Sequence, residues 1–100
     1  MGTVIVDARP EHARFVAWVG LTAFRSHLAR GLWDFFTEGG EEQSLHYLET
    51  LATTRAPHWA RHSTFLIAEV DGRPAAALCG YFEEELGMTA LQQAVVEVDE

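Results

Sequence analysis

The stretch STFLIAEVDGRPAAALCGYFE, residues 63–83, consists of two apolar runs separated by Asp71-Gly72. An Asp-Gly pair between strand-like runs predicts a β-hairpin with a type I′ turn, because that turn needs a positive φ at both central residues. Both faces of this hairpin are largely apolar, so we expect other elements to cover both of them. A two-residue loop fixes the register, and the expected pairs are Val70 with Arg73, Ala68 with Ala75, Ile67 with Ala76, Leu66 with Ala77, Phe65 with Leu78 and Thr64 with Cys79.

The segments on either side of the hairpin predict one more strand and several helices. Alternation over residues 3–8 predicts a strand, and Pro10 and Glu11 favour the start of a helix. A short helix is expected in the aromatic segment 32–36. Three helices are expected to face the core with an apolar stripe. The stripe of the first helix is Phe15, Val16, Val19, Thr22 and Ala23, and that of a helix over 41–54 is Leu45, Leu48, Leu51 and Ala52. A last helix, capped by Thr89, has the stripe Leu91, Ala94, Val95 and Val98. This order of strand, helices, hairpin and helix predicts an α+β sandwich, with helices on one or both faces of an antiparallel sheet.

The chain has 100 residues and a net charge of −8. Its length predicts a single small domain over residues 1–100. The acidic charge argues against nucleic acid and anionic membranes as partners, and it is explained equally well by a cationic substrate or by solubility alone. The sequence shows no basic leader and no apolar run of about 20 residues, and one cysteine cannot form a disulfide within the chain. These features together predict a cytoplasmic protein.

The sequence resembles the N-terminal half of the GNAT family of acyl-CoA N-acyltransferases. Residues 4–19, VIVDARPEHARFVAWV, resemble the family's first strand and its Arg-Pro-Glu entry to the first helix, with His12 where an acidic residue is common. Residues 65–82 resemble its second and third strands, and the helical middle resembles the helices on the acceptor side. The resemblance covers nearly the whole chain and implies a partial GNAT-like sandwich. We expect an incomplete domain, since the last helix reaches Glu100 without a stop signal.

The most specific element of that family is missing from this sequence. It is a fourth strand followed by a loop of pattern Q/R-x-x-G-x-G/A and a helix, whose backbone N–H groups hold the pyrophosphate of acyl-CoA. No such string occurs, and Gly39-Gly40 is followed by Glu41 and Glu42, whose charges repel a phosphate. The resemblance therefore implies acetyl-CoA as a co-substrate of the complete enzyme, with none bound by this chain alone. It also implies an amine acceptor, either a small molecule or a peptide.

The resemblance further implies an acceptor site beside the third strand. A carboxylate there can accept the proton of the amine, directly or through water, and Glu83 is the candidate base. Tyr81 is expected on the same strand face as Glu83 and Cys79, where it contacts the substrate. The alternatives are a solvated strand end within the acidic run 83–85 for Glu83 and a packed aromatic side chain for Tyr81.

The aromatic segment that follows Gly31 supplies the other candidate substrate residues. Trp33 and Phe36, together with Phe35, either line a substrate pocket or belong to the core. Asp34 lies among them, where it either binds a cationic group or is a surface charge.

The histidines and the cysteine predict no further chemistry. His58 and His62 have the four-residue spacing of a helical metal site, but Pro57 and Ser63 leave no room for a long helix. No carboxylate or cysteine follows at ligand spacing, so we predict no metal site. Cys79 is expected to be a buried strand cysteine, because a nucleophile would need a histidine, such as His62, placed beside it.

Two functions from different classes fit these observations. The first is the substrate-side part of an N-acyltransferase, and the second is a non-catalytic interaction or small-ligand-binding module. The second hairpin strand has no charge or proline after Pro74, which leaves an edge with unpaired backbone groups. That edge predicts a homodimer formed through the hairpin.

Overall fold

The computed structural model describes residues 2–25, 33 and 40–99 and confirms the expected α+β order. The strands are β1 (Thr3–Asp7), β2 (Phe65–Val70) and β3 (Arg73–Cys79), and the helices are α1 (Ala13–Arg25), α2 (Glu41–Ala52), α3 (Glu83–Leu86) and α4 (Met88–Asp99). Short 3₁₀ turns at Pro10–His12 and His62–Thr64 lead into α1 and β2. The helix expected over 32–36 lies outside the described residues except for Trp33. Within the described ranges, no helix is long and apolar enough to cross a membrane.

The hairpin turn forms as the sequence predicts. Asp71 and Gly72 have φ angles of 53° and 81°, the two positive values that a type I′ turn requires. Val70 pairs with Arg73 across this turn. The sheet has the order β1-β2-β3 with both neighbouring pairs antiparallel, so β2 is its central strand.

The predicted register is wrong beyond the first two pairs, because β3 contains a bulge. Glu69 pairs with Pro74 but Ala68 pairs with Ala76, so Ala75 is an extra residue on β3. Proline has no N–H to give to a ladder and occurs in sheets mainly at edges and bulges, and Pro74 directly precedes the extra residue. The observed pairs after the bulge are Ile67 with Ala77, Leu66 with Leu78 and Phe65 with Cys79.

Helix α1 lies between the sheet and the other helices. Val16 packs toward Phe65 and Ile67 of β2, and Leu21 packs toward Leu48 and Leu51 of α2. Of the residues expected to face the core, Val16 is buried, Phe15 and Val19 are half-buried, and Thr22 and Ala23 are exposed. The other buried residues of α1 are Ala13, Ala17 and Leu21, so its buried face is shifted from the expected one. Two apolar clusters result, one between the sheet and α1 with Ala52 of α2, and one among α1, α2 and α4.

The last helix buries the expected residues but begins two residues earlier than expected. Leu91 and Ala94 are buried, and Val95 and Val98 pack against the same cluster. Thr89 lies inside the helix instead of capping it, since α4 starts at Met88. Helix α2 ends at Ala52, two residues before the expected end.

Only one face of the sheet is covered by the described residues, contrary to the expectation of cover on both. The clusters with α1 and α2 involve the inner residues of the sheet, such as Phe65 and Ile67. On the outer face, Ile5 is 61% exposed, Leu66 41% and Leu78 69%. The helices described here therefore leave an apolar sheet face open to solvent.

Candidate functional site

Four aromatic rings from distant parts of the chain form one cluster at the end of β3. The ring of Trp59 lies 6.0 Å from that of Trp33, 6.0 Å from that of Tyr81 and 5.5 Å from that of Phe24, measured between centroids. The Trp59 and Tyr81 rings are stacked, with 23° between their planes. The structure thus brings together two of the predicted substrate residues, Trp33 and Tyr81, through Trp59. We call Phe24, Trp33, Trp59 and Tyr81 the aromatic cluster.

The aromatic cluster extends from the protein interior to the surface. Trp33 is buried among leucines of the helices, whereas Tyr81 and Phe24 are each 43% exposed. A buried ring holds its neighbours in place, and an exposed ring offers a negative π face to a ligand. Such a face attracts an ammonium or guanidinium group with about 0.5–2 kcal/mol. The arrangement can therefore contact a flat or cationic group at Tyr81 and Phe24.

Polar groups of the hairpin hold the backbone of Trp59. The Thr64 hydroxyl donates a hydrogen bond of 2.6 Å to the Trp59 carbonyl, and the Cys79 thiol donates to the same oxygen over 3.4 Å. Thr64 Oγ1 also lies 3.4 Å from Cys79 Sγ. The His62 ring is engaged with the carbonyl of Ala8 through Nδ1 at 3.2 Å. Cys79 lies on β3 as expected but is half-buried instead of buried, and its thiol contacts Trp59 and Thr64.

The acidic candidate Glu83 does not lie on the strand face with Tyr81 and Cys79, which corrects the prediction. β3 ends at Cys79, and only the N–H of Gly80 continues the pairing, with a hydrogen bond of 3.0 Å to the Thr64 carbonyl. The chain then turns, and Glu83 begins α3 with the three acidic residues 83–85 in its first turn. Glu83 is exposed, and its carboxylate folds over Gly87, where a Cβ atom would overlap it.

Two further predicted substrate residues, Asp34 and Phe36, lie outside the described residues, as does Phe35. Their proposed roles stay predictions. Of the four substrate candidates, the structure places Trp33 in the interior and Tyr81 at the surface of one cluster.

The loop that carries Trp59 is held by a buried histidine, which the sequence reasoning considered only as a metal ligand. His58 is fully buried, and its Nε2 lies 2.7 Å from the carbonyl oxygen of Leu51 and 2.9 Å from the hydroxyl of Thr54. Its Nδ1 accepts a hydrogen bond of 3.1 Å from the backbone N–H of Ala60. Burial lowers the pKa of His58, partly offset by the bond to Leu51. With both ring nitrogens engaged, His58 is a structural residue.

Charged side chains complete the anchoring of this loop. Glu97 of α4 accepts backbone hydrogen bonds from Arg55 at 2.8 Å and Ala56 at 3.0 Å, and these bonds lower the pKa of its carboxyl group. Arg61 Nε donates to the carbonyl of Thr54 over 2.5 Å. The sequence analysis did not identify the residues that position Trp59. The available signal was the four-residue spacing of Thr54 and His58 at the end of a predicted helix. Among the described residues, no group of three potential metal ligands occurs.

A separate groove of about 820 Å³ lies between α2 and α4. Burial raises the pKa of Tyr47 in this groove, and the charge of Asp99 raises it further. The carboxylate of Glu42 at the same groove is bound by Arg14 over 2.6 Å. None of the predicted site residues lines the groove, so the aromatic cluster is the better candidate for the acceptor side.

Comparison with known proteins supports the fold. No protein-family model matches this chain, and no curated protein sequence matches it. Its structure is similar to one described as "The crystal structure of acetyltransferase", with a TM-score of 0.73 and 18% sequence identity. The match covers 96% of this chain and 49% of the other, so the chain spans about half the length of that acetyltransferase. The protein therefore has an acetyltransferase-like fold.

Proposed function

We propose that this chain is the substrate-side part of a GNAT-type N-acyltransferase, which transfers an acyl group from acyl-CoA to an amine. The observation that carries the proposal is the fold similarity over 96% of the chain to about half of an acetyltransferase. The family resemblance of residues 4–19 and 65–82 supports the same assignment, and these residues form β1, the start of α1 and the β2-β3 hairpin. A phosphate-binding loop would belong to the rest of such an enzyme.

The proposed reaction is a direct transfer between the two substrates. The lone pair of the neutral amine attacks the thioester carbonyl carbon, and an N–C bond forms. The C–S bond breaks, and CoA leaves as a thiolate with the electron pair of that bond. An acceptor that arrives as an ammonium ion first loses one proton to solvent, and after the attack the nitrogen loses a second proton to a base, so that a neutral amide results. Glu83 is the proposed base, since its exposed carboxylate at the start of α3 can take the proton directly or through water.

The described surface suits an acceptor that arrives as a cation. Tyr81 and Phe24 present aromatic rings at the end of β3, and the acidic run 83–85 follows two residues after Tyr81. An ammonium group is attracted both by π faces and by carboxylates. The net charge of −8 adds a long-range attraction that salt weakens. Asp34 and Phe36 are proposed to complete the substrate side, whereas Trp33 belongs to the core and supports Trp59 from the interior.

Amine binding can be tested with the chain as it is, since Trp59 stacks on Tyr81 and reports on that site. We expect spermidine to change the tryptophan fluorescence of the wild type in a saturable way. Tyr81→Ala should weaken this binding several-fold, because the exposed ring is lost. Phe82→Ala is the matched control, since Phe82 is a neighbouring exposed ring outside the cluster. Equal effects of the two substitutions, or no saturable signal in the wild type, would contradict the assignment.

Catalysis can be tested once the reading frame beyond Glu100 is known. A following strand with a Gly-rich phosphate-binding loop supports the enzyme, and the longer protein should then release CoA thiol with an amine. In that protein Glu83→Gln should lower kcat, while Glu84→Gln, which changes an adjacent exposed carboxylate, should leave it near the wild-type value. A stop codon at that point favours the second candidate.

The second candidate is a non-catalytic interaction module. The open outer face of the sheet is the observation that favours it, since exposed apolar surfaces of this kind often bind partners. The two candidates are compatible with the same fold.

A further inference from the structure

The outer face of the sheet forms a regular grid of nine residues. The register places them in three rows across β1, β2 and β3. The first row is Asp7, Leu66 and Leu78, the second is Ile5, Ala68 and Ala76, and the third is Thr3, Val70 and Arg73. We call these nine residues the outer grid.

The outer grid is apolar at its centre and carries one charge of each sign at opposite corners. Ile5 and Leu78 are more than half exposed, and the central residue Ala68 is partly buried. Asp7 and Arg73 are both exposed, and neither forms an ion pair with another described residue.

We propose that the outer grid binds the same grid of a second copy of this chain, face to face, about a twofold axis along the Thr3–Leu78 diagonal. Rotation about that diagonal exchanges the two other corners, so each Asp7 meets Arg73 of the second copy. Because the grid spans about 10 Å across the strands and about 14 Å along them, the strands of the two sheets then cross at about 70°, which is closer to the orthogonal packing of sheets than to the aligned one. The contact is isologous and closes as a dimer.

The apolar residues of the outer grid also face apolar residues of the second copy in this arrangement. Ile5 faces Val70 of the second copy, Leu66 faces Ala76, and Leu78 faces its own counterpart on the axis. Large side chains thus meet small ones away from the axis, and Ala68 meets Ala68 at the centre. That pattern lets the two faces approach closely.

The charges favour this arrangement over the other twofold arrangements of the same two faces. An axis parallel to the strands places Asp7 over Leu78 of the second copy, and an axis across the strands places it over Thr3. An axis along the other diagonal places Asp7 against Asp7. Each of these leaves the Asp7 carboxylate without a positive partner or facing a like charge, which is less favourable than the pairing with Arg73.

The size of the outer grid predicts a weak dimer. Its corner Cα atoms span about 10 Å across the strands and about 14 Å along them, from standard strand spacing and rise. With side chains included, such a contact lies at the small end of specific interfaces, below about 1,200 Å² in total. A transient dimer is therefore expected, with dissociation at micromolar to millimolar concentration, on the order of 10⁻⁵ to 10⁻³ M.

The outer grid is a better candidate for association than the open β3 edge. Pro74 and the extra residue Ala75 interrupt β3, and a proline and a bulge are two features by which proteins blunt a sheet edge. Only Ala76 to Cys79 remains as a regular edge. Asp7 and Ile5 lie on β1, at the opposite side of the sheet from that edge, so substitutions there separate the two modes of association.

The test uses sedimentation of the 100-residue chain over about 10 µM to 1 mM, with the variants Asp7→Arg and Arg73→Asp. We expect the wild type to form a dimer and each variant alone to associate at least tenfold more weakly. An equal mixture of the two variants should form heterodimers, because both corner pairs are again complementary. The double variant, which carries both substitutions, should recover the homodimer.

The same variants rule out an effect of net charge alone. Asp7→Arg changes the net charge from −8 to −6, which would strengthen association if overall repulsion decided it. Circular dichroism establishes that each variant is folded, and the mixture and the double variant give a gain of association that misfolding cannot produce.

Three outcomes would overturn the proposal. A wild type that stays monomeric throughout would show that the outer grid does not bind a second copy. Heterodimers absent from the mixture would exclude the corner pairs. If Leu78→Lys weakens association but Ile5→Lys does not, then the copies pair through the β3 edge.

Discussion

His58 donates a hydrogen bond to the carbonyl oxygen of Leu51, and this contact ties the loop after α2 back to the helix. The distance between Nε2 and the oxygen is 2.7 Å. Because Nδ1 accepts the N–H of Ala60, the ring proton must be on Nε2, and the ring is neutral. The loop held in this way carries Trp59, the central ring of the aromatic cluster. The candidate site therefore depends on a buried polar contact.

Replacing His58 by alanine is expected to destabilise the fold by about 2–4 kcal/mol. The change leaves the Leu51 carbonyl and the Ala60 N–H without their partner and opens a cavity. His46→Ala is the matched control, since His46 lies exposed on α2, and it should change stability by about 0.5 kcal/mol or less. Urea unfolding followed by circular dichroism measures both. Similar midpoints for the two variants would show that the His58 contacts contribute little.

The stability of the protein should fall as the pH drops below about 6.5. The pKa of His58 is lowered from its ordinary value of 6.5 because burial disfavours the charged ring. Above pH 6.5 both the folded and the unfolded states hold a neutral ring, so the free energy of unfolding does not change with this group. Below it the unfolded state binds the proton first, and stability is lost until the pH reaches the lowered folded pKa.

Urea midpoints between about pH 7.5 and 5.5 measure this dependence, in a range above the titration of ordinary carboxylates. His58→Gln should show a flatter profile, since the titrating group is gone. An unchanged slope in His58→Gln would assign the pH dependence to another histidine.

Two glycine substitutions are expected to act in opposite directions. Gly72→Ala should cost about 1–2 kcal/mol, because Gly72 has a φ of +81° in the hairpin turn. Gly20→Ala should stabilise by about 0.5–1 kcal/mol, since Gly20 lies inside α1 and an added Cβ meets nothing within 4 Å. Thermal unfolding of both variants measures the two shifts. A shift in the same direction for both would contradict the backbone assignment at one of these positions.

Acetyl-CoA is expected to show no saturable binding to the 100-residue chain. The sequence contains no phosphate-binding loop of the GNAT pattern, and residues 41 and 42 at the start of α2 are glutamates, which repel phosphate. Isothermal titration calorimetry measures the interaction, with injections into buffer as the control. A dissociation constant tighter than about 1 mM would show that this chain contains a CoA site of a different kind.

Local features of the fold could be predicted from the sequence. The hairpin turn follows from Asp71-Gly72, because only a few residue types adopt a positive φ at low cost. The buried face of α4 follows from the spacing of Leu91 and Ala94, since a helix returns to the same side every 3.6 residues. The α+β class follows from the order of these elements, and the structure confirms it.

Other features were decided by contacts between distant segments. The bulge at Ala75 shifts the register, and β3 ends at Cys79, so Glu83 does not share a strand face with Tyr81. Trp59 joins Trp33 to Tyr81 although the three residues come from separate segments. Sequence periodicity describes which way a side chain points within one element, but these features depend on how elements pack against each other.

The outer face of the sheet shows most clearly what the sequence determines and what the tertiary structure decides. The sequence by itself determined that both hairpin faces are apolar, because the side chains of β2 and β3 alternate with a period of two. Only the tertiary structure decided which of them is covered, since α1 packs on Phe65 and Ile67 and leaves Leu66 and Leu78 exposed. A strand pattern fixes which residues share a face, whereas cover comes from helices whose position depends on the packing of the whole chain.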